Sequence, residues 1–113
     1  MALTYVRLFA PQFLAAGAPQ IYQVPASPAS TLLRNGRVRM VNTLTTGAVA
    51  VSLFAANGTS SGAATTLVSA QGIAPNTAME VDLPLMSAGD TLYAGATSAS
   101  AVTILSMNGV LQS

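Results

Sequence analysis

The chain has 113 residues, enough for one domain that buries its own core, and it contains no cysteine, histidine or tryptophan. That composition excludes a disulfide framework, thiolate or imidazole metal sites, and the usual nucleophile–base pairs. Charged residues make up 6% of the chain, against about 25% in ordinary domains, and the net charge of +1 is too weak to steer a nucleic acid.

So few charges leave a free monomer poorly protected against self-association. Either Ser, Thr, Asn and Gln supply the wet surface, or other chains cover much of it. Both are expected here, with a homo-oligomer, a dimer or trimer, as the consequence. No run of ~18 apolar residues occurs, so no membrane span is expected. Phe9 to Ala18 is apolar and ends in Ala16-Gly-Ala18, like a signal-peptide cleavage site. No basic region precedes it, however, Arg7 interrupts the apolar run and Pro11 breaks it, which argues against a signal peptide.

In chain order, Leu3 to Phe9 is β-rich and suited to a sheet edge. Pro11, Gly17 and Pro19 prevent a continuous element up to Gln20. Residues 1–19 therefore form an arm or edge strand, and residues 20–113 the β-sandwich domain. The leader holds Leu3, Tyr5, Val6, Leu8, Phe9, Phe13 and Leu14, too apolar to stand in solvent. It is expected to add a strand at an edge of its own sandwich or of a neighbouring subunit.

Gln20 to Val24 is the next strand, stopped by Pro25 and Pro28. Leu32 to Asn42 is the longest β-like run. Its Asn35-Gly36 pair signals either a hairpin or one strand with a bulge, and the bulge is preferred because Thr31 to Leu33 is short for a hairpin arm. Val38, Met40 and Asn42 would then face one way, and Arg37, Arg39 and Val41 the other. Thr43 to Gly47 is a turn, and Ala48 to Phe54 alternates with Val49, Val51 and Leu53 inward. Asn57 to Ala63 is a polar loop whose Asn57-Gly-Thr59 matches the glycosylation triplet by chance rather than by context. Thr65 to Ala70 is a weak strand and Gln71 to Thr77 a loop.

Ala78 to Asp82 alternates clearly, with Met79, Val81 and Leu83 inward, until Pro84 interrupts the ladder. Gly89-Asp90 makes a turn in which Asp90 can accept from a nearby backbone N–H. Thr91 begins another strand, Ser98 and Ser100 mark a turn, Ala101 to Leu105 reads as a buried strand, and Asn108-Gly109 is a turn or bulge before Val110-Leu111. The sum is an all-β fold, a small antiparallel β-sandwich of about eight strands, jelly-roll-like. The expected core is Val49, Val51, Leu53, Met79, Val81, Leu83, Leu92, Val102 and Ile104.

Catalytic candidates reduce to carboxylates. Glu80 and Asp82 share a strand face about 7 Å apart, a spacing like that of paired-carboxylate glycosidases. A solvated strand face explains them better, and no catalytic residue, cofactor or metal is expected. Arg34, Arg37 and Arg39 form a basic cluster. They fit either an acidic partner surface or pairing with Glu80 and Asp82 across the sheet. Tyr5, Tyr22 and Tyr93 suit either half-wet interfaces or the core.

Ile21-Tyr-Gln-Val-Pro25, Leu33 to Asn42, Ala48 to Phe54, Val81-Asp-Leu-Pro-Leu85 with Ala88-Gly-Asp-Thr-Leu92, and Gly109-Val110 together resemble a group of small tailed-phage virion structural proteins of the jelly-roll decoration (cement) type. The resemblance spans residues 20–111 and rests on structural punctuation rather than chemistry. It implies a bacteriophage virion protein, made in the host cytoplasm, that stabilises the shell by contacts with the major capsid protein or another virion protein. The alternative is a tail or fibre module contacting a host receptor or glycan. The candidate interface is Leu3, Tyr5, Arg7, Phe9, Phe13, Arg34, Arg37 and Arg39.

Overall fold

The computed structural model describes residues 3–17, 19–25, 31–56, 66–98 and 101–112. Part of the Pro25–Pro28 stop, the Asn57–Ala63 loop with its Asn-Gly-Thr triplet, and Ser100 lie outside the described residues. Ten strand segments run in chain order as β1 (Leu3–Tyr5), β2 (Gln12–Phe13), β3 (Gln20–Gln23), β4 (Leu32–Asn42), β5 (Val49–Ala56), β6 (Thr66–Ile73), β7 (Ala78–Asp82), β8 (Met86–Ser87), β9 (Thr91–Ala96) and β10 (Val102–Gln112). One sheet has the order β1-β10-β4-β7, with β2 also on β10 and β8 also on β4; the other has the order β3-β9-β5-β6.

β1 and β2 pair with the same neighbour, β10, and β7 and β8 with the same neighbour, β4. Each pair is therefore one interrupted strand: Pro11 stands just before β2, and Leu83-Pro84-Leu85 divides β7 from β8. Joined in this way the ten segments make eight strands, in the sheet orders 1-8-3-6 and 2-7-4-5. That is the jelly-roll order, an antiparallel β-sandwich of two four-stranded sheets.

The core lies between the sheets. Leu33, Val38, Met40, Val102 and Ile104 face inward from the first sheet, and Val51, Leu53, Leu92 and Ala94 from the second. Of the expected core, Met79 and Val81 are only half buried although they point inward. β7 is the edge strand of its sheet, so water reaches its inner face from the side. Glu80 and Asp82 are exposed, so the register of β7 is the one its alternation implies.

β4 is a single bulged strand. Asn35 takes a positive φ of 54°, and two residues between Arg34 and Arg37, Asn35 and Gly36, lie against one between Asn108 and Val110, Gly109. β10 likewise runs as one strand to Gln112, with an extra residue, Met107, between Ser106 and Asn108. β6 is longer than its composition suggests. It runs on through Gln71 and Gly72 to Ile73, where a loop is expected, because these residues pair with Val49 to Val51.

Asn42 ends β4 fully buried. Its Nδ2 donates to Ile73 O at 2.9 Å and Gly47 O at 3.2 Å, and its Oδ1 accepts from Leu44 N at 3.0 Å. One amide thus holds the turn after β4 and the end of β6 together. Replacing Asn42 by Ala leaves the Ile73 carbonyl buried without this donor. It should cost about 2–3 kcal/mol, or a fall in Tm of roughly 8–12 °C on thermal unfolding.

Candidate functional site: a rim on the first sheet

The leader divides its side chains. Leu8, Phe9 and Leu14 enter the sandwich core, while Leu3, Tyr5 and Phe13 stand 52%, 83% and 55% exposed. Three contacts fix this division. Val6 N donates to Gly109 O at 2.9 Å, Leu8 N donates to Ser106 Oγ at 3.0 Å, and Leu14 N donates to Val102 O at 2.7 Å. Gly109 is the key position. A Cβ built there would sit 2.9 Å from Leu8 Cδ2, so the missing side chain is what admits Leu8. The chain then leaves β2, meets Ala96 by a bridge from Ala16, and enters the second sheet at β3.

Paired residues on neighbouring strands share a face. Leu3, Tyr5 and Phe13 stand opposite Gln112, Val110 and Thr103 of β10, and these opposite Leu32, Arg34 and Val41 of β4. Arg37 and Arg39 stand opposite Asp82 and Glu80 of β7. The outer face of this sheet is therefore graded, from an apolar rim through an arginine stripe to an acidic edge.

The arginines are partly occupied within the chain. Arg37 Nε donates to Asp82 Oδ1 at 2.8 Å, and its Nη1 lies 3.7 Å from Glu80 Oε1. The Asp82 hydrogen bond, with its charge, raises the pKa of Arg37 further above an already high value. Arg34 Nη1 donates to Gln112 Oε1 at 2.6 Å. Arg39 and Arg7 are exposed. The carboxylate pair thus shares a face, as its spacing predicts, and both members meet Arg37 on an open sheet.

Phe9, expected at an interface, packs into the chain's own core. The leader must bury something to hold its place, and Phe9 follows Leu8 over the bulge. Tyr22 packs half-buried against the core, and that burial raises its phenol pKa. Sequence reasoning missed Leu85 and Met107, which are 65% and 41% exposed. Pro84 and the Asn108-Gly109 pair flag irregular backbone beside them, the only signal that either side chain is turned outward. Leu85 lines an open groove of 710 Å³ with Arg34, Asn35, Arg37, Asp82 and Asn108.

No protein-family model and no curated protein matches this chain. Among solved structures it is similar to the infectious bursal disease virus VP2 subviral particle, at 10% identity and a TM-score of 0.47, covering 97% of this chain and 32% of that one. The structure of the Gx strain of the same virus gives 8% identity and a TM-score of 0.46, again over 97% and 32%. The chain thus spans about a third of the length of these neighbours. Fold and surface together define a class, a jelly-roll sandwich that displays an apolar rim at one sheet edge.

Two outcomes are expected. Gly109→Val should drive Leu8 out, cost about 1–3 kcal/mol and loosen the leader, so that limited trypsin cuts at Arg7 faster than in the parent chain. Glu80→Gln with Asp82→Asn should leave the thermal midpoint nearly unchanged at 0.15 M salt, because the ion pairs are exposed and screened. A large fall in that midpoint would assign the pairs a structural role.

Proposed function

We propose that this chain is a structural protein of a bacteriophage virion, a capsid-decoration (cement) protein that holds neighbouring shell subunits together by protein–protein contact. The observation that carries this reading is the rim of Leu3, Tyr5 and Phe13, held outward by a leader whose Leu8, Phe9 and Leu14 are locked in the core. Apolar side chains fixed in an exposed row mark a protein-binding site, and anchoring reduces the ordering cost on binding. The jelly-roll order adds only analogy, since that fold serves capsid and lectin domains alike. The motifs shared with small phage virion proteins supply the choice of partner, the major capsid protein.

In this reading the leader, through β1 and β2, completes the chain's own sheet and presents the rim to the shell. Arg7 flanks the rim, and Arg34 and Arg39 extend the contact across the sheet. Binding only the assembled lattice stabilises it by mass action.

The test is to add purified chain to undecorated shells and count copies per particle by electron microscopy. Many copies spread over the shell are expected, and Tyr5→Ser with Phe13→Ser should weaken binding at least about tenfold, given ~1.5–3 kcal/mol for each buried aromatic. A few copies at a single vertex would instead assign the chain to the tail or fibre, where a host receptor or glycan is the ligand.

A further inference from the structure

The second sheet differs in kind from the first. β3, β5, β6 and β9 together contain no charged residue. Their outward residues change in size along the strands. At one end Gln20, Tyr93, Phe54 and Thr66 form a continuous row across all four strands. Next comes Gly95 opposite Ser52, then Ala50 opposite Gly72. The small residues floor a trough of 430 Å³ with Phe54 in its wall. Two hydroxyls on this surface already serve the backbone: Ser52 Oγ accepts from Ala70 N at 3.1 Å, and Thr97 Oγ accepts from Ala50 N at 3.3 Å.

We propose that this face is a self-recognition surface, occupied by a second copy of the same chain related by a twofold axis. The axis lies between the two faces and across the strands, so each copy runs opposite to the other. The Phe54–Tyr93 ridge of each copy then enters the trough of its partner, as an isologous contact requires. Neither face carries a charge that must be stripped of water, whereas the outer face of the first sheet carries Arg34, Arg37, Arg39, Glu80 and Asp82. The large row and the small rows lie on one face, so a copy turned about this axis sets each against the other, which is the argument for that occupant.

The size of the face sets the strength. Four strands at ~4.8 Å spacing and about 20 Å of strand give roughly 400 Å² in projection per copy, and about 1,000 Å² of accessible surface over both. That is near the lower bound for a specific interface, so the dimer is expected to be reversible. The proposal is independent of the rim, which lies on the other sheet and stays open in such a dimer.

Sedimentation equilibrium of the full chain, from about 5 to 500 µM, tests it. The expected result is a reversible monomer–dimer equilibrium. Ala50→Arg, which places a guanidinium in the trough, should raise the dissociation constant at least about tenfold. Phe54→Ala removes the ridge and should weaken the same equilibrium. Tyr5→Ser with Phe13→Ser should leave it unchanged. Circular dichroism checks that each variant keeps its sheet; if Ala50→Arg does not fold, Phe54→Ala decides. A chain that stays monomeric throughout, a dimer indifferent to the trough and ridge variants, or a dimer lost in the rim variant overturns the proposal, as does a monomeric chain that uses this face for a different virion protein.

Discussion

The contact of Leu8 with Gly109 is the constraint on which the architecture turns. A leader broken by two prolines and a glycine makes only short ladders to β10. Opposite the β4 bulge, Gly109 leaves a space without a side chain, and Leu8 fills it. With Leu8 seated, Phe9 and Leu14 follow into the core, and the intervening residues have one direction left. Tyr5 points out beside the partly buried Val6, and Phe13 beside the buried Leu14. The exposed rim is thus a by-product of burying Leu8, Phe9 and Leu14.

Asn42 plays the corresponding part at the far end of β4. A buried amide with both its donor and acceptor atoms in use closes two loops at once, so the second sheet stays in register with the first. Between these two fixed points β4 and β10 are paired along most of their length. The charges then sort by sheet. β4 and β7 carry five of the seven, and the strands of the second sheet carry none. One surface is suited to polar or salt-sensitive contacts, the other to close, dry packing.

Much of this was legible in the residues. Alternation placed the inward set of β5 and β7, and Asn35-Gly36 marked a bulge because the run before it was too short for a hairpin arm. Asp90 was readable as a turn residue, and its Oδ2 accepts from Ser87 N at 2.9 Å. What stayed hidden depended on the partner strand. Gln71 and Gly72 have poor strand propensity and become strand because β5 lies beside them. Phe9 and Phe13 look alike in sequence, and only the bulge under Leu8 decides that one is buried and the other shown. The grading of the first sheet's outer face needed the strand order, since Tyr5, Arg34 and Glu80 are far apart in the chain.

The pairing of β1 with β10 joins Leu3 to Gln112. These two strands are far apart in sequence, so the first sheet closes only through non-local pairing. In any folding intermediate in which β10 is not yet placed, Leu8, Phe9 and Leu14 lack the surface that covers them, and that intermediate is the form of the chain most exposed to misassociation.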